Sequence, residues 1–496
     1  MKLLYIDLFC GAGGTSTGVE SARLDGMQCA KVIACVNHDA KAIASHAANH
    51  PDALHFTEDI RTLQLSPLVA HAERMKMQYP DAKVVLWASL ECTNFSKAKG
   101  GQPRDADSRT LAEHLFRYIE ALNPDFIQIE NVEEFMSWGD MDENGKPISR
   151  DKGKCYVRWC NRVRRYGYDF EHRILNAADY GAYTTRKRFF GIFAKRGLPI
   201  VFPAATHCKG GKADMFGSLE KWKPVRDVLD FSDLGNSIFR ERALSENTLE
   251  RIYAGLVRFV AGGQEAFLSK QYSGSPEGKN VSINGPAGTI TCRDHHMFVS
   301  AYYGNGHNHS IEAPAPTLTT KDRLSVVTAF FGNEYSGGGQ LSSLENPCPA
   351  VLTRPKQALI SVRQHYLLNP QYRSFGRDID DPCFTLIARM DKRPPCLITT
   401  EPGSLPDISM HSGDTPMTRK IKSFMQLYHI IDIYMRMLKT DELKRIMGFP
   451  EDYVLIGTQA EQKKYIGNAV EVNMSRALCE ALCQRLAETK SLLKTA

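Results

Sequence analysis

Across the first two hundred residues, short apolar runs alternate with stretches whose apolar positions repeat every three or four residues, as strands joined by crossover helices require. The runs Leu3–Phe9, Lys31–Val36, Lys83–Ala88 and Asp125–Ile129 predict strands. Leu111, Leu115, Ile119 and Leu122 share one helical face, and Asn123-Pro124 stops that helix. The pattern predicts an α/β fold on a doubly wound, mostly parallel sheet. From about Thr206 to Phe424 the texture changes to short strands with many Gly and Pro turns. Four related segments, opening at Pro286, Pro314, Pro347 and Pro382, each place a proline turn before a β-branched strand, at spacings of 28, 33 and 35 residues. Spacing this irregular argues against a solenoid and predicts related hairpins in one smaller β-rich domain. Beyond it, Thr440 opens a helix with Asp441 and Glu442 in its first turn, Lys444 and Arg445 later and Gly448 past its end, which suits the helix dipole. A last helix carries Leu478, Leu482 and Leu486 on one face. Residues 425–496 are therefore expected to pack back on residues 1–205, making 206–424 an insertion.

A chain of 496 residues is long for one domain, in keeping with that division. Lys plus Arg exceed Asp plus Glu by only 62 to 56, but between Arg150 and Arg196 the count is thirteen to four. That local excess suits either a polyanion or an ordinary solvated surface. Thirteen cysteines without paired spacing fit a reducing compartment. Cys155 and Cys160 have no matching second pair, and Cys479 and Cys483 share a helical face where core packing explains them. His295, His296, His307 and His309 read as turn and surface residues, so no metal is expected. No apolar run reaches membrane-spanning length, and the apolar start runs into a glycine turn instead of a cleavage site; a cytoplasmic protein is expected.

The first predicted strand ends in Asp7-Leu-Phe-Cys-Gly-Ala-Gly-Gly14 and leads into a helix. Glycines there serve either close approach to a cofactor or tight helix packing. The second ends at Asn37-His38-Asp39, and Asp59-Ile60 follow; in a doubly wound sheet these strand ends converge on one crevice. The third ends in Ser89-Leu-Glu-Cys-Thr-Asn-Phe-Ser96 and the fourth in Glu130-Asn131-Val132. A thiol and a carboxylate at adjacent strand ends suit covalent catalysis with acid assistance, although either alone reads as a buried small residue or a solvated acid.

In their order these segments resemble the cytosine-5 methyltransferase family. The resemblance takes in Asp7–Gly14, Cys92–Ser96, Glu130–Val132, Asp179–Gly181 with Thr184–Arg188, Leu438–Pro450 and Gly467–Val470, about two thirds of the chain. It implies a Rossmann-like methyltransferase fold whose β-rich insertion recognises the target. It further implies a thiolate at Cys92 that adds to carbon 6 of cytosine, with Glu130 holding the ring nitrogen and amino group, Arg186 steadying the activated base and Arg188 the surrounding loop. S-adenosylmethionine is the implied cofactor. Phe9 would lie on its adenine, Gly11, Gly13 and Gly14 along the methionine and ribose, Asn37 and His38 at the ribose-side strand end, Asp59 and Ile60 at the adenine, and Asn468 would close the site. A base stacked in duplex DNA would have to be flipped out.

Four departures from the family pattern stand out. Glu91 and Thr93 flank Cys92 where proline and glutamine are usual, and a carboxylate beside a thiol disfavours the thiolate. Asn37 replaces the ribose-binding acid, His38 an aromatic residue, and Tyr183-Thr184 a Pro-Gln pair. The implied partner is duplex DNA read in a sequence-specific way, with no membrane, a monomeric state, and a restriction-modification setting in which a cognate endonuclease is the further partner. Methylation of transfer RNA by the same chemistry, and a degenerate homologue that only binds nucleic acid, are the alternatives.

Overall fold

The computed structural model describes residues 1–90, 111–138, 153–257 and 408–495, apart from 215–216, 231, 234–235, 428–429 and 431, together with the backbone of short strands between 266 and 400. Glu91, Cys92 and Thr93, the four proline segments, and His295, His307 and His309 lie outside the described residues.

Seven strands form the central sheet: β1 (Leu3–Leu8), β2 (Ala30–Val36), β3 (Leu54–Phe56), β4 (Lys83–Ser89), β5 (Phe126–Asn131), β6 (Tyr168–Asn176) and β7 (Lys187–Lys195). Their order is β3-β2-β1-β4-β5-β7-β6; the first five run parallel, and β7 is antiparallel to both neighbours. This is the expected doubly wound, mostly parallel sheet. The four predicted strands are present with ends shifted by a residue or two. Phe9 takes φ 60°, which ends β1 before it, whereas β5 continues to Asn131 because that residue pairs with Phe189 of β7.

Every residue of β1 is buried because both faces of the sheet are covered. Leu4, Ile6 and Leu8 face one layer, packed by α3 (Ser66–Gln78), α4 (Leu111–Leu122) and α5 (Lys154–Arg165) through Leu68, Leu115, Ile119, Trp159 and Val163. Leu3 and Tyr5 face the other layer, with Val19 of α1 (Gly14–Ser21). Such alternation is the period-two geometry of a strand. The second layer is completed by the C-terminal helix, Val472–Thr495, whose Met474, Leu478, Leu482 and Cys483 join the same cluster. The C-terminal helix thus packs in the same cluster as β1 and α1, and Cys479 and Cys483 are fully buried core thiols.

Strands β6 and β7 were not anticipated. Glu171, His172 and Arg173 of β6 are exposed, as befits an edge strand, and the resulting polar run reads as surface. The basic stretch divides accordingly. Arg158, Arg162, Arg164 and Arg165 line the exposed face of α5, whereas Arg186 and Arg188 are buried.

In the β-rich part, Ala266–Ser269, His296–Ser300, Gln364–Asn369 and Cys396–Thr400 pair antiparallel, and Tyr434–Met437 extends the sheet past residue 424. One buried ion pair joins the two ends of this segment. Arg436 makes a bidentate pair with Glu442 at 2.9 and 3.0 Å, and the same carboxylate accepts from the backbone N–H of Asp230 and Lys439. Arg436 also donates to the carbonyls of Asp230 and Asp233. Among the described residues no helix is long and apolar enough to cross a membrane.

Candidate active site

In-register pairing sets Ser89, the last residue of β4, abreast of Glu130 on β5. The chain leaves Ser89 towards Cys92, and the Asn131 side-chain amide donates to the Leu90 carbonyl at 3.3 Å, tying that exit to β5. Glu130 is 6% exposed and sits 3.4 Å from the Arg188 guanidinium, itself 9% exposed. Burial pushes the Glu130 carboxyl up, while Arg188, Arg186 and the Ser89 hydroxyl pull it back down. A carboxyl balanced this way can donate through O–H and accept through its other oxygen.

Arg186 ends the turn between β6 and β7, and Arg188 is the second residue of β7. The Ala177 N–H donates to the Arg186 carbonyl, and Gly181 turns the chain at φ 81°. The Asp179 carboxylate accepts from the Trp222 indole at 2.8 Å and its carbonyl from the Thr206 N–H, so the Asp-Tyr-Gly segment fastens the start of the β-rich part to the sheet. Arg186 donates to the Gly467 carbonyl at 3.2 Å. This contact brings the end of Gln459–Asn468 to the site, with Asn468 exposed beside it. Immediately before Arg186, the hydroxyls of Thr184 and Thr185 are buried without a hydrogen-bond partner.

On the far side of β4, the glycine turn separates into two kinds of position. A methyl on Gly13 (φ 102°) would lie 2.3 Å from the Tyr453 hydroxyl, and one on Gly14 would lie 2.4 Å from the Val470 carbonyl. These two are glycines because the C-terminal segment packs on them. Gly11 (φ 52°) has nothing within 4 Å of that position. Tyr453 donates to the Ala12 carbonyl, a restraint on the turn that sequence reasoning missed because it crosses more than four hundred residues.

The remaining predicted residues gather at neighbouring strand ends. Asn37 follows β2 half-buried, and its side-chain oxygen accepts from the Asp39 N–H at 2.9 Å; His38 is exposed. Asp59 is half-buried, Ile60 is buried, and the Asp59 carboxylate is held by Arg61 at 2.6 Å, which keeps it below the usual carboxylate range, with His38 contributing a smaller effect. Phe9 is half-buried and packs against the first core layer.

A seven-stranded sheet of this order, with a buried carboxylate and arginines at one set of strand ends, is that of a methyltransferase-fold protein. The profile of the family described as "C-5 cytosine-specific DNA methylase" matches residues 3–245 and 354–484, and the chain belongs to that family. It is 29% identical over 209 residues to the type II methyltransferase M1.HphI of Haemophilus parahaemolyticus, covering 42% of this chain and 50% of that protein. To the type II methyltransferase M.AquIA of Picosynechococcus it is 27% identical over 233 residues, covering 46% of this chain and 88% of the relative. The chain thus spans about half the length of M1.HphI and of M.AgeI, where coverage is 43%. A crystal structure of Spodoptera frugiperda DNMT2 is similar at a TM-score of 0.46 and 12% identity, covering 97% of this chain and 99% of that one.

Proposed function

We propose that the chain methylates carbon 5 of cytosine in duplex DNA, with S-adenosylmethionine as donor and Cys92 as covalent nucleophile. The observation that carries this reading is the buried Glu130 beside Arg188, abreast of the strand end from which the chain runs to Cys92.

Carbon 5 of cytosine is a weak nucleophile. A Cys92 thiolate adding to carbon 6 breaks the ring's 5,6 double bond and places electron density on carbon 5. Glu130, favoured as the acid by burial, donates to ring nitrogen 3 and accepts from the 4-amino group, so it stabilises the charge that addition creates. Arg188 keeps that carboxyl oriented, and Arg186 braces the site against the C-terminal segment. Loss of the carbon 5 proton, with departure of the Cys92 sulfur, restores the aromatic ring.

The described residues fit the cofactor of this family: an aromatic Phe9 at a positive-φ bend, open space beside Gly11, and a half-exposed carboxylate at Asp59. Phe9 would lie on the adenine, Asp59 and Ile60 at its edge, Asn37 and His38 towards the ribose, Gly11, Gly13 and Gly14 along the turn, and Asn468 at the closing side. When bound, it supplies an electrophilic methyl group on a sulfonium.

Extraction of the target base from the duplex and reading of its flanking sequence are assigned to the segment 206–424, with exposed arginines of α5 neutralising phosphates. Conversion sequencing of genomic DNA and of transfer RNA from the same expressing cells tests this function. Methylcytosine at one recurring DNA sequence is expected; modification confined to RNA, or in neither, contradicts it. That the protein acts in the cytoplasm as a monomer, in a restriction-modification setting beside a cognate endonuclease, completes the proposal.

A further inference from the structure

Behind the glycine turn, on the side away from Glu130, four side chains from four elements meet: Cys10 after β1, Cys35 on β2, His46 on α2 (Ala40–Asn49) and His55 on β3. The ligand atoms of Cys10, Cys35 and His46 all lie within 4.8 Å of one another, and all three residues are buried. The His46 Nδ1 is 3.6 Å from the Cys35 sulfur and 3.0 Å from the His55 Nε2, and both Cys10 and His55 reach the Cys35 thiol. From this geometry we propose that Cys10, Cys35 and His46 form the core of a structural zinc site that His55, half-buried at its edge, completes as fourth ligand.

Three physical features support zinc over a simple hydrogen-bonded cluster. First, the spacing is right. Tetrahedral zinc, with bonds of about 2.3 Å to sulfur and about 2.0 Å to nitrogen, sets its sulfur and nitrogen ligands about 3.5 Å apart and its two nitrogens slightly closer. The observed 3.6 Å between His46 and Cys35 matches, whereas His55 touches His46 at 3.0 Å but stands outside the set of three whose ligand atoms are mutually within 4.8 Å, so its imidazole has to swing inward to complete the tetrahedron.

Second, the tautomer of His46 is determined from behind. Ser16 donates to the Asp7 carboxylate at 2.8 Å, so its oxygen accepts from His46 Nε2 at 2.9 Å. The Nδ1 lone pair is thereby aimed at the cluster, and the chain from carboxylate through hydroxyl to imidazole is the outer-shell support that metal-bound histidines use. Third, the charges balance. Two thiolates and two neutral imidazoles cancel the zinc charge, so a filled site adds no net charge to surroundings that already bury Asp7. Binding releases the two thiol protons to solvent and requires no redox partner.

No local spacing announces this site, because its ligands are 25, 11 and 9 residues apart and only the parallel sheet brings them together. A closed site here would be structural. It would tie the glycine turn to the elements carrying Asn37, His38 and Asp59.

The test is metal analysis of the full chain purified without chelator or metal-affinity resin. About one zinc per chain is expected. His55→Gln and Cys35→Ser should each lose it, while Cys483→Ser, in the separate Cys29, Cys479 and Cys483 cluster, should retain it. In the wild-type chain, chelation should lower the melting temperature and zinc should restore it, and cobalt should give sulfur-to-metal charge-transfer absorption that is absent from His55→Gln. A chain that purifies without metal and whose melting temperature is indifferent to zinc overturns the proposal. So does a Cys10–Cys35 disulfide in the purified protein, or zinc that only Cys483→Ser removes.

Discussion

Substituting alanine at Gly13 and at Gly11 separates the two roles that one glycine-rich turn combines. At Gly13 the added methyl meets the Tyr453 hydroxyl at 2.3 Å, with ring carbons of His46 and His50 at 3.2 and 3.3 Å. Tyr453 must then withdraw, which removes its hydrogen bond to Ala12, a loss of about 1 kcal/mol. A non-glycine residue at φ 102° adds roughly 1–2 kcal/mol of backbone strain. The sum is about 2–3 kcal/mol of lost stability. At Gly11 the methyl enters open space at φ 52°, leaving only the backbone cost of roughly 1 kcal/mol. That methyl instead intrudes on the proposed cofactor path, where a loss of about 1.4 kcal/mol is about tenfold in affinity. Urea unfolding followed by tryptophan fluorescence measures the first quantity, and calorimetric titration with S-adenosylmethionine the second. Gly13→Ala should unfold at clearly lower urea than Gly11→Ala, and Gly11→Ala should bind more weakly while remaining folded. Equal unfolding midpoints would refute the assignment of Gly13 to packing against Tyr453.

The contrast between these glycines also marks how far the residues speak for themselves. Core strands such as Leu3–Leu8 were legible because a strand buried on both faces is continuously apolar, and the α4 face because its leucines repeat at helical spacing. The edge strand β6 was not, since one of its faces is solvated and Glu171-His172-Arg173 breaks any apolar run. Glu130 could be picked out at a strand end, but its position abreast of Ser89, and the contact of Arg186 with Gly467 across 281 residues, depend on pairing between distant segments. The same holds for Tyr453 on the glycine turn and for the thiol and imidazole cluster behind it. Cys92 was legible only through its motif and lies outside the described residues.

Two further outcomes follow from buried carboxyls. Glu130→Gln keeps the shape and can still hydrogen-bond ring nitrogen 3 and the amino group, but has no proton to transfer to that nitrogen, so turnover should fall about 10²–10³-fold with cofactor affinity unchanged, measured by tritiated methyl transfer and titration; near-normal turnover would remove Glu130 from the chemistry. Glu471, 1% exposed, is raised to about 7 by burial, against which hydrogen bonds from Met474 and Asn473 act. Because its folded-state value exceeds the unfolded one, its contribution to stability is fully present below about pH 4.5 and is lost as pH rises through about 7. Glu471→Gln should therefore flatten the decline in melting temperature between about pH 4.5 and 7, and an unaltered profile would contradict the buried-acid assignment.

The account rests on a covalent bond between Cys92 and carbon 6 of the target base, and a trapping experiment measures that bond directly. DNA bearing 5-fluorocytosine is incubated with the chain and S-adenosylmethionine, then resolved under denaturing conditions. Fluorine cannot depart as the carbon 5 proton does, so the adduct persists once the methyl group has been transferred. The predicted result is a denaturant-resistant complex that requires the cofactor and is absent from Cys92→Ser, with mass spectrometry placing the nucleotide on the peptide containing Cys92. An enzyme that methylates ordinary DNA yet forms no such complex, or forms it equally well as Cys92→Ser, would contradict the mechanism.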